Sequence, residues 1–357
     1  MHVPIVASKL KQQGHDVIAV CHPDGKIGHE MSVRGVKTLT APIGGYFNPR
    51  QTLRLYNILK SERPDILHLH LSRDLWQIVP AAVCAGTGTL ILTKHVGSYV
   101  NKRDPLHRYL YSHVKRVITV SEVLRKNVIE TCAIPSERVT TIHHALDLDR
   151  YEPKMYSRKA VLSELGIPDQ DTVVGTVGRV SPGKGLETFL RSAKRVLAVD
   201  SKRRFRFLIV GDASFGEEAY FRSIRDLTVS LGLTDQVVFT GFRTDIPALL
   251  NAMDVFIFPS HAEGLGATLI EAMAMGVPSV SSNSDGTLDI IEDGITGYTV
   301  PPEDDSAMAN SVLRILEDSE TRERIAAAGR NQAREKFDLD VMIRKIEIVY
   351  AECLAGE

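Results

Sequence analysis

Cysteine is scarce in this 357-residue chain: Cys21, Cys84, Cys132 and Cys353 are the only ones, and no two form a CxxC pair. Such spacing argues against a zinc site and a disulfide framework, and it fits a reducing, cytosolic compartment. An excess of either charge is lacking too, because 43 lysines and arginines face 44 aspartates and glutamates. A formal net charge of −1 provides no global field to recruit nucleic acid, which is not an expected partner. No apolar run approaches the roughly 20 residues of a membrane-spanning helix. The first residues, MHVPIVASKLKQQGHDV, carry no signal-peptide pattern. The chain is therefore expected in the cytoplasm, at most peripheral on a membrane. Aromatics amount to only 6%, yet hydrophobics at 43% and charges at 24% match ordinary globular chains and exclude a disordered or fibrous protein.

What is present suits two domains of roughly 100 to 200 residues each. Short apolar runs alternate with helical patterns, as in parallel sheets built from strand-helix-strand units. DVIAV (16–20), DILHLHL (65–71), TLILTKH (89–95) and RVITVS (116–121) read as buried strands of a first domain. Helical segments lie near 49–61, 73–84, 105–114 and 122–131. The polar, proline-containing ALDLDRYEPKMYSRK then breaks the pattern and places a boundary near residue 150. TVVGTVGR (172–179), FRFLIVG (205–211), QVVFTG (236–241), DVFIFPS (254–260) and PSVSS (278–282) read as strands of a second, doubly wound domain. From Asp338 onward, Leu339, Met342, Ile343, Ile346, Val349 and Tyr350 follow helical spacing. The expected division is an α/β domain over 1–150, another over 151–337, and a closing helix over 338–357. Ligands of such sheets bind beyond the carboxyl ends of the strands, where the strand order switches.

Two stretches at such ends carry chemistry. In SHAEGLGATLIEAMAMGVPS (260–279), Glu263 falls in the loop after a strand, and Glu271 lies two turns into a helix that begins with Gly-Leu-Gly. Glycines there let backbone amides approach an anion, and the helix dipole adds roughly half a positive charge. The acids would stand about 12 Å apart along the axis, too far to hold one atom but suited to the two ends of an elongated ligand with phosphates between. The plain alternative is a surface acid and an exposed helix position. Leu269, Ile270, Ala272 and Met273 around Glu271 argue against it, since a buried carboxylate demands partners. GRVSPGKGLETF (178–189) supplies Arg179, a planar fork, and Lys184, a compact charge, both suited to phosphate oxygens. Gly178 to Lys184 also fits the GxxxxGK start of a P-loop, but Gly185 stands where the magnesium-binding Ser or Thr belongs.

In this order and at these spacings, GRVSPGKG, the E-x7-E of EGLGATLIE, AMAMGVPSV and DGITGYTVPPEDD resemble the retaining, nucleotide-sugar-dependent glycosyltransferases of family 4, over nearly the whole chain. The resemblance implies the GT-B fold: two Rossmann-like domains facing a central cleft, with the terminal helix closing across. It implies that Arg179 and Lys184 hold the diphosphate of a UDP- or GDP-linked sugar, that Glu271 holds the ribose, and that Glu263 touches the donor sugar. Gly264, Leu265, Gly266, Thr268 and Leu269 would contact the donor, the glycine-rich loop and Thr268 through its phosphates. GFRTD matches the region flanking the base, which makes Phe242, Arg243 and Thr244 candidates there. TKHVG matches a strand end carrying a catalytic histidine, so His95 would project toward the sugar; capping of a strand is the alternative. No metal and no cofactor is implied.

His68 and His70 alternate on DILHLHL and face one side, which invites a metal, but no third ligand is evident. Asp147-Leu148-Asp149 and Asp338-Leu339-Asp340 invite the manganese-binding acid pair of the other glycosyltransferase architecture, yet neither follows a strand as that would require. ALDLDRY matches an interdomain segment that usually reads N-G-V-D, with His144 and Ala145 in place of Asn and Gly. Family members begin with a strand and a Gly-rich loop, and this chain starts inside what resembles the following helix. The expectation is that about 10 to 20 residues are absent, leaving neighbouring strands with unpaired backbone groups. A chain complete as given should have weak activity and an unstable first domain. Between Lys94 and Lys126, eight lysines and arginines stand against Asp104 and Glu122, a local charge of +6 that suits an anionic lipid surface or a phosphorylated lipopolysaccharide core. VGSYVNKRDPLHRYLY resembles members acting on bacterial envelope glycans, with Tyr99, Lys102 and Arg103 as acceptor candidates. The expected reaction is transfer of a sugar to a hydroxyl of a glycan or glycolipid, in lipopolysaccharide biosynthesis, in the cytoplasm or on the inner membrane. A noncatalytic sugar-nucleotide-binding module, a P-loop hydrolase and a sugar-nucleotide epimerase are the rivals.

Overall fold

The computed structural model of the chain describes residues 2–23, 25–43, 45–98, 100–261 and 266–356. The chain divides between His144 and Ala145 and again between Leu339 and Asp340, so the first unit takes both ends and the second is Ala145–Leu339. The first division falls a few residues before the position near 150 read from composition. Leu146 N donates to Phe337 O (2.9 Å) and Leu339 N to Leu146 O (3.0 Å), which ties the two connecting segments side by side.

The first unit carries β1 (Ile18–Cys21), β2 (Lys37–Thr40), β3 (Ile66–Leu69), β4 (Thr89–Lys94), β5 (Val114–Thr119) and β6 (Val139–Thr141). β3-β4-β5-β6 form one parallel sheet and β1-β2 a separate parallel pair. Among the described residues no ladder joins β1 to β3, so each has a backbone edge outside any sheet. Leu90 and Leu92 of β4 look onto a core with Leu110, Tyr111, Leu124, Val128 and Cys132, whereas β1 rests on the smaller cluster of Ala7, Ala19, Met31 and Val36. Helices start where side chains satisfy their first amides. Asn48 caps Pro49–Glu62, Asp104 caps Pro105–Ser112 and Ser121 caps Glu122–Thr131. The terminal helix, Leu339–Ala355, packs on the first unit through Lys9–Asp340 (2.9 Å), His15–Glu347 (2.8 Å) and Arg116–Glu352 (3.1 Å).

The second unit carries β7 (Thr172–Val177), β8 (Phe205–Val210), β9 (Val237–Phe239), β10 (Val255–Phe258), β11 (Ser279–Ser282) and β12 (Tyr298–Val300), all parallel, in the order β12-β11-β10-β7-β8-β9. The period of two sorts their apolar runs onto two buried faces. Val173, Leu208, Val210, Phe256 and Phe258 enter one core, and Val174, Phe207, Ile209, Val255 and Ile257 the other. The strand order reverses between β10 and β7. β2, β6 and β12 are additions to the strands read from the sequence: KTLT, VTT and YTV are only three or four residues long and partly polar.

Candidate functional site

A cavity of about 190 Å³ opens at that reversal point, lined by the ends of β7 and β10 together with Arg179, Lys184, Ala267 and Thr268. Three local devices build it. Lys184 sits between Gly183 (φ 82°) and Gly185 (φ 70°), a left-handed pair that only glycines adopt without strain. A Cβ on Gly185 would lie 1.9 Å from Pro259 O, so the basic turn is pressed against the end of β10, and His261 N donates to Gly183 O at 2.9 Å. The turn after β7 is likewise locked to β8, where a Cβ on Gly211 (φ 141°) would meet Gly178 O at 1.8 Å. The third device is the helix Ala267–Ala274, whose first amides have no intrahelical carbonyl to bind. Thr268 Oγ1 donates to Val177 O (3.2 Å) and holds that helix end against β7. Two cations and a positive helix terminus therefore face one hollow.

Glu271 lies three residues beyond Thr268, half-buried. Burial pushes its carboxyl up from the ordinary range, opposed by a hydrogen bond from Tyr151 and by the charge of Arg150. Tyr151 is itself buried and holds its proton firmly, through burial and through Glu271.

Residues 2–150 match the family described as Glycosyltransferase Family 4, and residues 157–332 match Glycosyl transferases group 1. The UDP-Gal:alpha-D-GlcNAc-diphosphoundecaprenol alpha-1,3-galactosyltransferase of Escherichia coli is 24% identical, over 98% of this chain and 92% of its own length. A solved glycosyltransferase from Rickettsia africae ESF-5 superposes with a TM-score of 0.85 at 23% identity, covering 100% of this chain and 94% of that one. Anabaena Alr3699/HepE in complex with UDP gives 0.80 at 20% identity, covering 99% and 96%. This chain belongs to the group 1 glycosyltransferases, with the GT-B fold.

The candidate residues of the transferase divide into those the fold gathers and those it does not. Arg179, Lys184 and Thr268 share the cavity. Leu269 is not in the cavity lining: its side chain is fully buried in the core and its amide donates to Gly266 O (3.0 Å), because helical geometry turns position 269 inward. Arg243 is held by Asp245 (2.8 and 2.6 Å) and Glu164 (2.6 Å), which keep its charge firmly in place, while Phe242 is 77% exposed and Thr244 is exposed beyond β9. Glu263, Gly264, Leu265 and Tyr99 lie outside the described residues.

His95 stands past the end of β4 with both ring nitrogens engaged: Nε2 is 3.2 Å from His70 Nδ1, and Nδ1 is 2.9 Å from His144 Nε2. His68 is held between Tyr350 Oη (2.6 Å) and Thr93 Oγ1 (2.7 Å), and burial, then the neighbouring His95, lowers it to about 4. Among the described residues no group of three His, Cys, Asp or Glu side chains is disposed to hold a metal ion. Sequence reasoning named His68, His70 and His95; it passed over Tyr151, Thr93 and Tyr350, which carry no motif and reach their partners only through the fold. Lys102 donates to Ser72 Oγ (3.2 Å), and Arg103 donates to Ile129 O near the end of the helix Glu122–Thr131. No described helix is long and apolar enough to cross a membrane.

Proposed function

We propose that the transferase moves a sugar from a nucleotide diphosphate donor to a hydroxyl of a glycan or glycolipid acceptor, with retained anomeric configuration, in assembly of a bacterial envelope glycan such as lipopolysaccharide. The observation that carries this reading is the convergence of Arg179, Lys184 and the N-terminus of Ala267–Ala274 on one cavity. A departing diphosphate gains negative charge as the glycosidic bond breaks, and fixed cations and amide dipoles aimed at it stabilise that charge without a metal ion. Glu271, one turn deeper, takes the ribose hydroxyls, and the exposed Phe242 offers the base a face. The loop of Gly264, Leu265 and Gly266 offers its amides to the phosphates, and Glu263 orients the sugar. Acceptor attack from the face the diphosphate leaves needs no covalent carboxylate. The Escherichia coli relative is named for a UDP-linked sugar and a lipid-diphosphate acceptor, and the Anabaena structure holds UDP, which supports a nucleotide-linked donor and an anionic acceptor.

The test is a thermal-shift screen of UDP- and GDP-sugars, followed by nucleotide release in the presence of a chelator and NMR of the product's anomeric proton. One donor should stabilise the protein and yield a product of unchanged configuration. Lys184→Ala should melt like the wild type and lose about 100-fold or more in turnover. Near-normal turnover removes the cavity from the reaction, an inverted product removes the retaining mechanism, and stabilisation with no release for any acceptor leaves a binding module.

A further inference from the structure

Lys94 is the last residue of β4, on the face shared with Leu90 and Leu92, opposite Thr93 and its bond to His68. Its side chain is only 5% exposed, which is rare for a lysine, and among the described residues neither a carboxylate nor a hydrogen bond holds it. Its charged neighbour is a second cation, Lys102, with the buried Cys132 thiol beyond; burial first, then Lys102, pushes the ammonium down from its ordinary range. The fold holds Lys102 in place, its backbone amide donating to Thr131 O (2.7 Å) and its Nζ to Ser72 Oγ (3.2 Å). Tyr111, 1% exposed, brings its hydroxyl beside Ser72 and Cys132. Two ammonium groups, a phenol and a serine hydroxyl thus gather near the carboxyl end of a parallel sheet, with protons to donate and, among the described residues, no carboxylate paired with them. A buried, uncompensated ammonium is costly, and an anion removes the cost.

We propose that Lys94 and Lys102, with the hydroxyls of Tyr111 and Ser72, bind a phosphate-class oxyanion. A phosphoryl group presents three oxygens, enough acceptors for all four groups at once, and charge-assisted bonds to two ammonium ions favour it over a neutral hydroxyl. Its assignment as the seat of a phosphate carried by the acceptor rests on the transferase reading; the binding of the anion does not.

The experiment measures affinity for inorganic phosphate at constant ionic strength, by thermal shift and calorimetry, in the full chain and in Lys94→Met, Lys102→Met and, as a control in the other unit, Lys202→Met. Methionine keeps the unbranched stem, so Lys94→Met should fold and melt at or above the wild-type temperature. It should weaken phosphate by about tenfold or more, as should Lys102→Met, with the control unchanged. Acetylation with mass-spectrometric readout supplies a second measurement on the wild type, in which phosphate should slow modification of Lys94 selectively. Parallel titrations with a hexose phosphate and with phosphatidylglycerol vesicles identify the source, since tighter binding of either over free phosphate marks the group that carries the oxyanion. Equal stabilisation of all variants by phosphate, or acetylation of Lys94 at one rate with and without it, overturns the site. A nucleotide-sugar shift that survives in Lys94→Met separates failure here from failure of the donor reading.

Discussion

At the scale of single residues, burial decides more than residue type does. His68 reads in sequence as half of a metal-like pair, yet in the fold it is a neutral imidazole between a tyrosine and a threonine, lowered to about 4 from an ordinary 6.5. The sign of the consequence follows: the unfolded chain binds a proton that the native ring refuses. Stability is therefore complete above about pH 6.5 and falls as pH drops toward 4, by up to about 3 kcal/mol. Trp76, the single tryptophan of the chain, lies in the first unit and reports it. Urea midpoints followed by its fluorescence should fall between pH 7 and 4.5, and His68→Gln should flatten that slope; an equal slope in both proteins means His68 is not the group. Arg179 and Lys184 were legible as residues suited to phosphate oxygens because their charges need no tertiary partner to be recognised, and the fold brings both to one cavity. The partners of Arg243 and the inward placing of Leu269 were not legible from motif position, because Asp245, Glu164 and the buried face of the helix claim them only after folding.

At the scale of elements, strands buried on both faces announce themselves. β7, β8 and β10 are largely apolar runs, and their existence follows from hydropathy with little help from context. β2, β6 and β12 are short and partly polar, and neighbouring strands in the sheet are what make them strands. The glycines around Lys184 were visible as a loop, but their left-handed backbone and the close approach of Pro259 were not. The split between β1-β2 and β3-β4-β5-β6 has a kinetic consequence, since β1 pairs along one edge and rests on a small cluster. In hydrogen exchange followed by mass spectrometry, the amides of Ile18–Cys21 and Lys37–Thr40 should exchange well before those of β7, β8 and β10. Protection of β1 equal to that of β7 contradicts this ordering.

At the scale of the whole molecule, a formal charge of −1 hides a local excess of +6 between Lys94 and Lys126. The fold reduces it, because Arg116 pairs with Glu352 at 3.1 Å, and leaves Lys115 and Lys126 to act at longer range. Sedimentation with phosphatidylglycerol vesicles should show binding at low salt that is lost as ionic strength rises. Failure to bind at any salt removes the membrane surface from the proposed acceptor side.

The sequence by itself determined the class of fold, the division into two units and which residue types could suit an anion, because periodicity, glycine placement and charge type are properties of short stretches. Only the tertiary structure decided that Arg179, Lys184 and residues from 267 onward share one hollow, that four histidines and two lysines cluster at strand ends, and that Glu271 meets Tyr151. Those groups lie far apart along the chain, and what brings them together is the order in which parallel strands assemble, a non-local property that no short stretch encodes.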